Sequence, residues 1–194
     1  MDTIAVRAVQ GRISNGRYDF NLLVSCGWGE FAEAKREIVR LLVDLGDKQP
    51  EIRKTLARGI TGVRTSLDPR SVITSLRVIF QKDPSVIQHT SKWVPIDLWT
   101  DGNIESIKER ITKLRGMIRT ADTWRMTVEM RRYTTLHKAD VIREVAELID
   151  AKVDLDNPDK ILRIEFIGKH AGISVLKPYE IFSATRTQSL MTRT

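Results

Sequence analysis

Cysteine is almost missing from this chain: Cys26 is the one example in 194 residues. A lone cysteine excludes an intramolecular disulfide and any zinc site built from several thiolates. Histidine is scarce too, with three in all. His89, His137 and His170 stand far apart near the ends of predicted elements, where solvated or capping histidines outnumber catalytic ones. Neither a P-loop nor the histidine-glutamate and paired-cysteine signature of zinc deaminases occurs. Nothing in the spacing assembles a nucleophile with a base or a paired acid and base, so no catalytic residue, no metal and no cofactor is expected. Long apolar runs are absent as well. None approaches the ~20 residues that cross a bilayer, and residues 1–20 lack the apolar centre of a secretory signal. The expectation is a cytoplasmic protein with no membrane partner.

What the chain does carry is positive charge. Thirty-two Lys and Arg against 25 Asp and Glu give a formal net charge of +7. Such a balance favours an anionic partner, because clustered Lys and Arg release counterions when they neutralise phosphates. Acidic proteins and anionic lipid compete for the same charge. With 41% apolar residues the chain can bury one substantial core or two small ones. Two lobes sharing an interface are expected. Residues 1–19, with Arg7, Arg12 and Arg17 among Gly, Ser and Asn, read as an arm or as non-native sequence.

In the first lobe, set at 20–67, FNLLVSC reads as a buried strand. FAEAKREIVRLLVDLG follows as a helix with Phe31, Ala34, Ile38, Leu41, Leu42 and Leu45 inward and Gly46 at its C-terminal cap. TLARGITGVRTS has weak alternation and two glycines, and is expected as a strand that tolerates a bulge. Asp68 and Pro69 then open a helix whose inward residues are Val72, Ile73, Leu76, Ile79 and Phe80, ended by Asp83-Pro84. The run from Gly27 to Ala32 satisfies the dinucleotide fingerprint G-x-G-x-x-[GA] between a strand and a helix. The acidic residue that should end a second parallel strand is misplaced, however, since Asp44 lies within the helix and Asp47 just past it. The glycines are read as a tight turn.

Farther on, Trp124, Met126, Val128 and Met130 alternate with Arg125, Thr127, Glu129 and Arg131, which predicts a strand with a buried and a wet face. Val141, Val145 and Leu148, with Ile142 and Ile149, make one helical stripe. Asp156-Asn157-Pro158-Asp159 is a turn. A second strand sets Leu162, Ile164 and Phe166 against Arg163 and Glu165, and the loop from Gly168 to Gly172 leads into a hairpin partner, holding Lys169 and His170 in solvent. Trp124 is read as core, Trp93 and Trp99 as packing between lobes, and Tyr133 as an aromatic on which an RNA end could stack.

The segments MRRYTTLHKADVIREVAELI, KVDLDNPDKILRIEFIG and ISVLK, with SKWVPIDLWTDGNIESIKERI upstream, resemble a THUMP domain, and are similar to the stand-alone THUMP proteins that act as adaptors for tRNA cytidine acetylation. The fold implied is α+β, an N-terminal ferredoxin-like lobe packed on a C-terminal THUMP domain at 68–190. Asp97, Asp101 and Glu105 make residues 96–105 acidic, a departure from the pattern of this subtype. Enzymes that resemble this family carry a catalytic domain after the module, and the residues following Pro178 are too few for one. The resemblance therefore implies a non-catalytic adaptor that grips the acceptor end of tRNA and presents it to an RNA acetyltransferase for D-arm cytidine acetylation; DNA is not an expected partner. An adaptor for another RNA modification, or a basic protein-interaction module, is the alternative. Candidate RNA contacts are Arg131 and Arg132 at a strand end, Lys138 opening the next helix near Thr135, Lys169 and His170 at the hairpin tip, and Arg125, which has Glu129 as a possible ion-pair partner on its own strand.

Overall fold

The computed structural model describes residues 18–133 and 135–184. Ten strands form two five-stranded sheets, and among the described residues there are four α-helices. The first sheet contains β1 (Leu22–Cys26), β2 (Glu51–Lys54), β3 (Ile60–Arg64), β4 (Thr90–Pro95) and β10 (Phe182–Ser183), ordered β10-β4-β1-β3-β2 with every pairing antiparallel. With helices α1 (Phe31–Asp44) and α2 (Pro69–Lys82) it makes the βαββαβ ferredoxin-like arrangement. Ile38, Leu42, Val72, Leu76 and Phe80 from the helices close on Leu22, Val24 and Trp93 from the strands.

The second sheet, ordered β5-β9-β8-β6-β7, holds β5 (Leu98–Asp101), β6 (Thr123–Arg131), β7 (Lys152–Val153), β8 (Lys160–Ile167) and β9 (His170–Leu176). Its helices are α3 (Ile104–Leu114) and α4 (Lys138–Ala146). β6 runs parallel to β8, and β8 and β9 form the expected antiparallel hairpin. Ile107, Ile111, Val141 and Val145 cover Trp124, Val128, Leu162, Ile164 and Phe166.

Helix starts and stops follow local chemistry. The Asp68 carboxylate accepts from the Ser71 N–H at 2.8 Å, with Pro69 in the first turn. At the end of α1, Gly46 takes φ +104°, its N–H donates to the Val43 carbonyl, and Asp47 N–H donates to Leu42. That pair of bonds is a Schellman cap, which glycine enters without the Cβ clash of other residues.

The two lobes meet sheet to sheet. Leu23 and Val94 of the first sheet pack with Trp99, Ile167 and Leu176 of the second, joined by Tyr18, Phe20, Ala57 and Ile96. The strand face expected to be wet is therefore covered: Arg163 and Glu165 are 4% and 3% exposed and bond each other, Nε to Oε1, at 2.6 Å. Period-two alternation sorts side chains between faces but says nothing of what lies on each.

Several other expectations need correction. α2 and β4 belong to the first sheet's unit and β10 returns to it, so a division between 67 and 68 falls inside the first lobe. The chain crosses at Ile96 and Asp97, whose N–H groups donate to Asn21 in the first lobe and Ile173 in the second. The strand expected over 55–66 is a loop followed by β3, with β2 before it, and the bulge sits in β1 between Ser25 and Cys26. Trp93 packs within the first lobe, whereas Trp99 does lie between the lobes. The proposed arm falls outside the described residues up to 17; Tyr18 is buried between the sheets, and Asp19 pairs with Arg53 and Arg64.

Asp97 ties the crossing together. Its carboxylate lies 2.8 Å from Arg70 on α2 and accepts from the Val175 N–H at 3.0 Å, while Arg70 also donates to the Val175 carbonyl. Burial pushes the Asp97 pKa up, with Arg70 opposing it. Removing one partner strands a buried charge, so Arg70→Ala should cost ~3–5 kcal/mol in urea unfolding, whereas Arg36→Ala, in an exposed pair with Glu33, should stay within ~0.5 kcal/mol.

Candidate nucleic-acid interface

Parallel pairing of β6 with β8 brings the end of β6 to the tip of the β8–β9 hairpin, where the Gly168 N–H donates to the Arg131 carbonyl at 3.0 Å. β5 ends at the same edge, with Asp101 opposite His170. Gly102 then joins three segments: its N–H donates to the Lys169 carbonyl at 2.7 Å, and its carbonyl accepts from the Tyr133 hydroxyl at 2.5 Å. A Cβ on Gly102 would meet Tyr133 Cε2 at 3.0 Å and the Lys169 carbonyl at 3.1 Å, so this close approach needs glycine.

Arg132 turns the chain out of β6 in the left-handed region, φ 56°, where non-glycine residues are uncommon. Its side chain is exposed, as are those of Lys169 at the hairpin tip and Lys138 at the start of α4. None of the three makes a side-chain hydrogen bond or ion pair with another described residue. Helix α4 begins at Lys138 with His137 as N-cap, three residues later than Thr135, and has no side-chain cap. Its first N–H groups, with their partial positive charge, stand at the helix end that follows β6 and Arg132 in the chain.

The remaining candidates have other work. The Arg131 guanidinium pairs with buried Glu165 and lies 3.8 Å from Glu129, so it neutralises charge between the sheets. Arg125 stands six residues down β6, about 20 Å away at the rise of an extended strand. It donates to the Leu155 carbonyl at 2.9 Å instead of pairing with Glu129. His170 lies in β9, not in an open loop: its side chain is 15% exposed, its ring centroid is 4.2 Å from that of Tyr18, and its Nδ1 is 3.8 Å from Asp101. Burial lowers its pKa below 6.5; Asp101 opposes this and Lys169 adds to it. Near neutrality His170 is thus an uncharged packing residue. Tyr133 is held against Phe166, centroids 4.6 Å apart, and is no free platform.

The sheet packing adds groups from the first lobe. Leu56 in the β2–β3 loop reaches Gly168, its Cδ1 lying 2.8 Å from where a Cβ would stand, and Ala57 packs beside Ile167. This carries Lys54 and Arg58, both exposed, to the same edge. Their recruitment depends on how the lobes dock, for which the sequence holds no local signal. The acidic residues of 96–105 divide: Asp97 is buried with Arg70, while the side chain of Asp101 is 68% exposed beside His170.

Residues 102–176 match the family model of the THUMP domain. The chain contains a THUMP domain. That domain points to RNA binding in the context of RNA modification. Among solved structures, the chain is similar to PH1313 from Pyrococcus horikoshii Ot3, with TM-score 0.57 and 19% identity over 80% of this chain and 54% of that one. It is also similar to TrmN from Thermus thermophilus, with TM-score 0.54 and 14% identity over 81% and 46%. A possible methylase from Clostridium difficile 630 gives TM-score 0.52 and 15% identity over 80% and 40%. The chain spans about half the length of these proteins or less, and the likeness is one of fold. No curated protein matches. Among the described residues no helix is long and apolar enough to cross a membrane.

Because the folded THUMP domain resists protonating His170, the unfolded chain binds more protons as pH falls toward and below 6.5. Stability should therefore decline between pH 7 and 5.5, and His170→Gln should flatten that decline in urea midpoints measured across the range.

Proposed function

We propose that this chain is a non-catalytic tRNA-binding adaptor that holds the acceptor end of tRNA at the edge described above and presents it to a cytidine acetyltransferase for acetylation of a D-arm cytidine. The observation that carries the reading is the pair of exposed, unpaired Arg132 and Lys169 that β6–β8 pairing brings to one edge of the THUMP domain, with unpaired Lys138 opening the next helix and the loop that bears Arg58 reaching Gly168. Cations held on rigid strand and helix ends suit phosphates, which fix orientation without reading sequence. Uncapped N–H groups at the start of α4 add donors of the same polarity. Acetyl transfer belongs to the partner, and the adaptor's part is to fix the distance between acceptor end and target base.

Charge reversal should avoid Arg131, since reversing it would set a third carboxylate beside Glu129 and Glu165. The double variant Arg132→Glu, Lys169→Glu should bind tRNA at least ten-fold more weakly near physiological salt and reduce the slope of log K against log salt by about one per lost phosphate contact. Unchanged affinity and slope would count against the interface. Trimming the unpaired acceptor end should weaken binding to the native chain. Acetylcytidine should form only when the acetyltransferase is added, and its formation by the purified chain alone would overturn the adaptor reading.

A further inference from the structure

Trp28 is 80% exposed, more than any other large apolar side chain among the described residues. Trp93, Trp99 and Trp124 are 0%, 7% and 2% exposed. The exposed indole does not sit on a slack loop. Glu30 N–H donates to the Gly27 carbonyl at 3.2 Å, and Gly29 takes φ +86° while Trp28 keeps a negative φ. That is a type II turn with Trp28 at its second position and the required glycine at its third. The Glu30 carboxylate lies over Gly27 where a Cβ would stand, and α1 begins directly at Phe31. The dinucleotide-like glycines thus serve to display a tryptophan.

The turn borders the cationic edge. Cys26 N–H donates to the Gly59 carbonyl at 2.9 Å, joining the turn to the β2–β3 loop that bears Arg58. Lys54 at the start of that loop holds its Nζ 4.8 Å from the centroid of the Phe31 ring. Leu56, in the same loop, touches Gly168 beside Lys169. The acidic group in the turn, Glu30, lies 4.0 Å from His89 Nδ1.

A tryptophan that anchors a protein partner sits in a contiguous apolar patch ringed by polar residues. Here the sequence neighbours are Gly27, Gly29 and Glu30, and the adjoining loop supplies cations. A flat, exposed π-face beside a loop that carries Lys54 and Arg58, with Leu56 as its one exposed large apolar residue, matches a ligand with flat faces on an anionic backbone. Paired RNA hides its base faces along the duplex, so the match is to unpaired nucleotides. We infer that Trp28 is a base-stacking platform for an unpaired ribonucleotide of RNA bound at the cationic edge, so that one strand contacts both lobes. This rests on the RNA-binding reading above.

The test uses the full chain with two probes, a short unstructured single-stranded RNA and a blunt, fully paired RNA duplex. Single-stranded RNA should quench tryptophan emission, because the one indole open to a base is Trp28. Trp28→Ala should weaken single-stranded binding about ten-fold or more, the scale of one lost stacking contact, while changing duplex binding less than two-fold. Trp28→Phe should restore most of the affinity. Unchanged single-stranded affinity in Trp28→Ala, or equal losses for both probes, would overturn the platform. If Arg132→Glu, Lys169→Glu weakens binding while Trp28→Ala does not, the stacking inference fails and the RNA-binding reading survives. If the native chain binds neither probe, both fail.

Discussion

The packing of one sheet directly on the other is the constraint from which the remaining architecture follows. Each sheet has helices on one face and its neighbour on the other, so both faces of every central strand need partners. The seam is apolar at Phe20, Leu23, Val94, Trp99 and Leu176, and charged toward β6, where Arg131, Arg163, Glu129 and Glu165 neutralise one another. A charge group of this kind, with Arg163 and Glu165 buried and Arg131 and Glu129 partly exposed, is a weak source of net stability, but it penalises any docking that leaves a buried member alone. Lys92 of β4 faces it from the first lobe; burial lowers the Lys92 pKa, the charge of Arg163 adds to this, and Glu165 and Glu129 oppose it. The charges therefore act mainly on the register of the lobes, and the register brings Arg58 to the edge that carries Lys169.

Two populations of basic residue result. Arg70, Arg77, Arg131 and Arg163 bond carbonyls or carboxylates within the fold, and net charge counts them equally with the rest. Arg58, Arg132, Lys138 and Lys169 are exposed to water instead, as is Lys54 beside the Phe31 ring. The cationic character relevant to a ligand is thus a matter of which groups remain unpaired, and the formal charge of the chain is a poor guide to it.

This is also where sequence reading reached its limit. Asp68-Pro69, Gly46 and the alternation of Trp124 to Met130 fixed elements by local chemistry, and each lies in the structure as expected. β2 was illegible because Glu51-Ile52-Arg53-Lys54 offers a single buried apolar position. Arg131 and His170 read as free cations in the sequence because their partners, Glu165 and Tyr18, reach them only through tertiary packing. Arg125 shared a strand with Arg131, and strand length alone separated their ends.

The return of the chain to the first sheet bears on the order in which this molecule can be completed as it leaves the ribosome. Phe182 is fully buried in the first lobe, its ring centroid 5.5 Å from that of Phe80, and Ser183 pairs with Lys92. Arg77 on α2 grips the carbonyls of Tyr179 and Ile181 just before it. The lobe made first therefore waits, with an open slot beside Phe80, until the lobe made last has been synthesised. A nascent chain stalled anywhere between these points would leave that slot beside Phe80 open, because only β10 fills it.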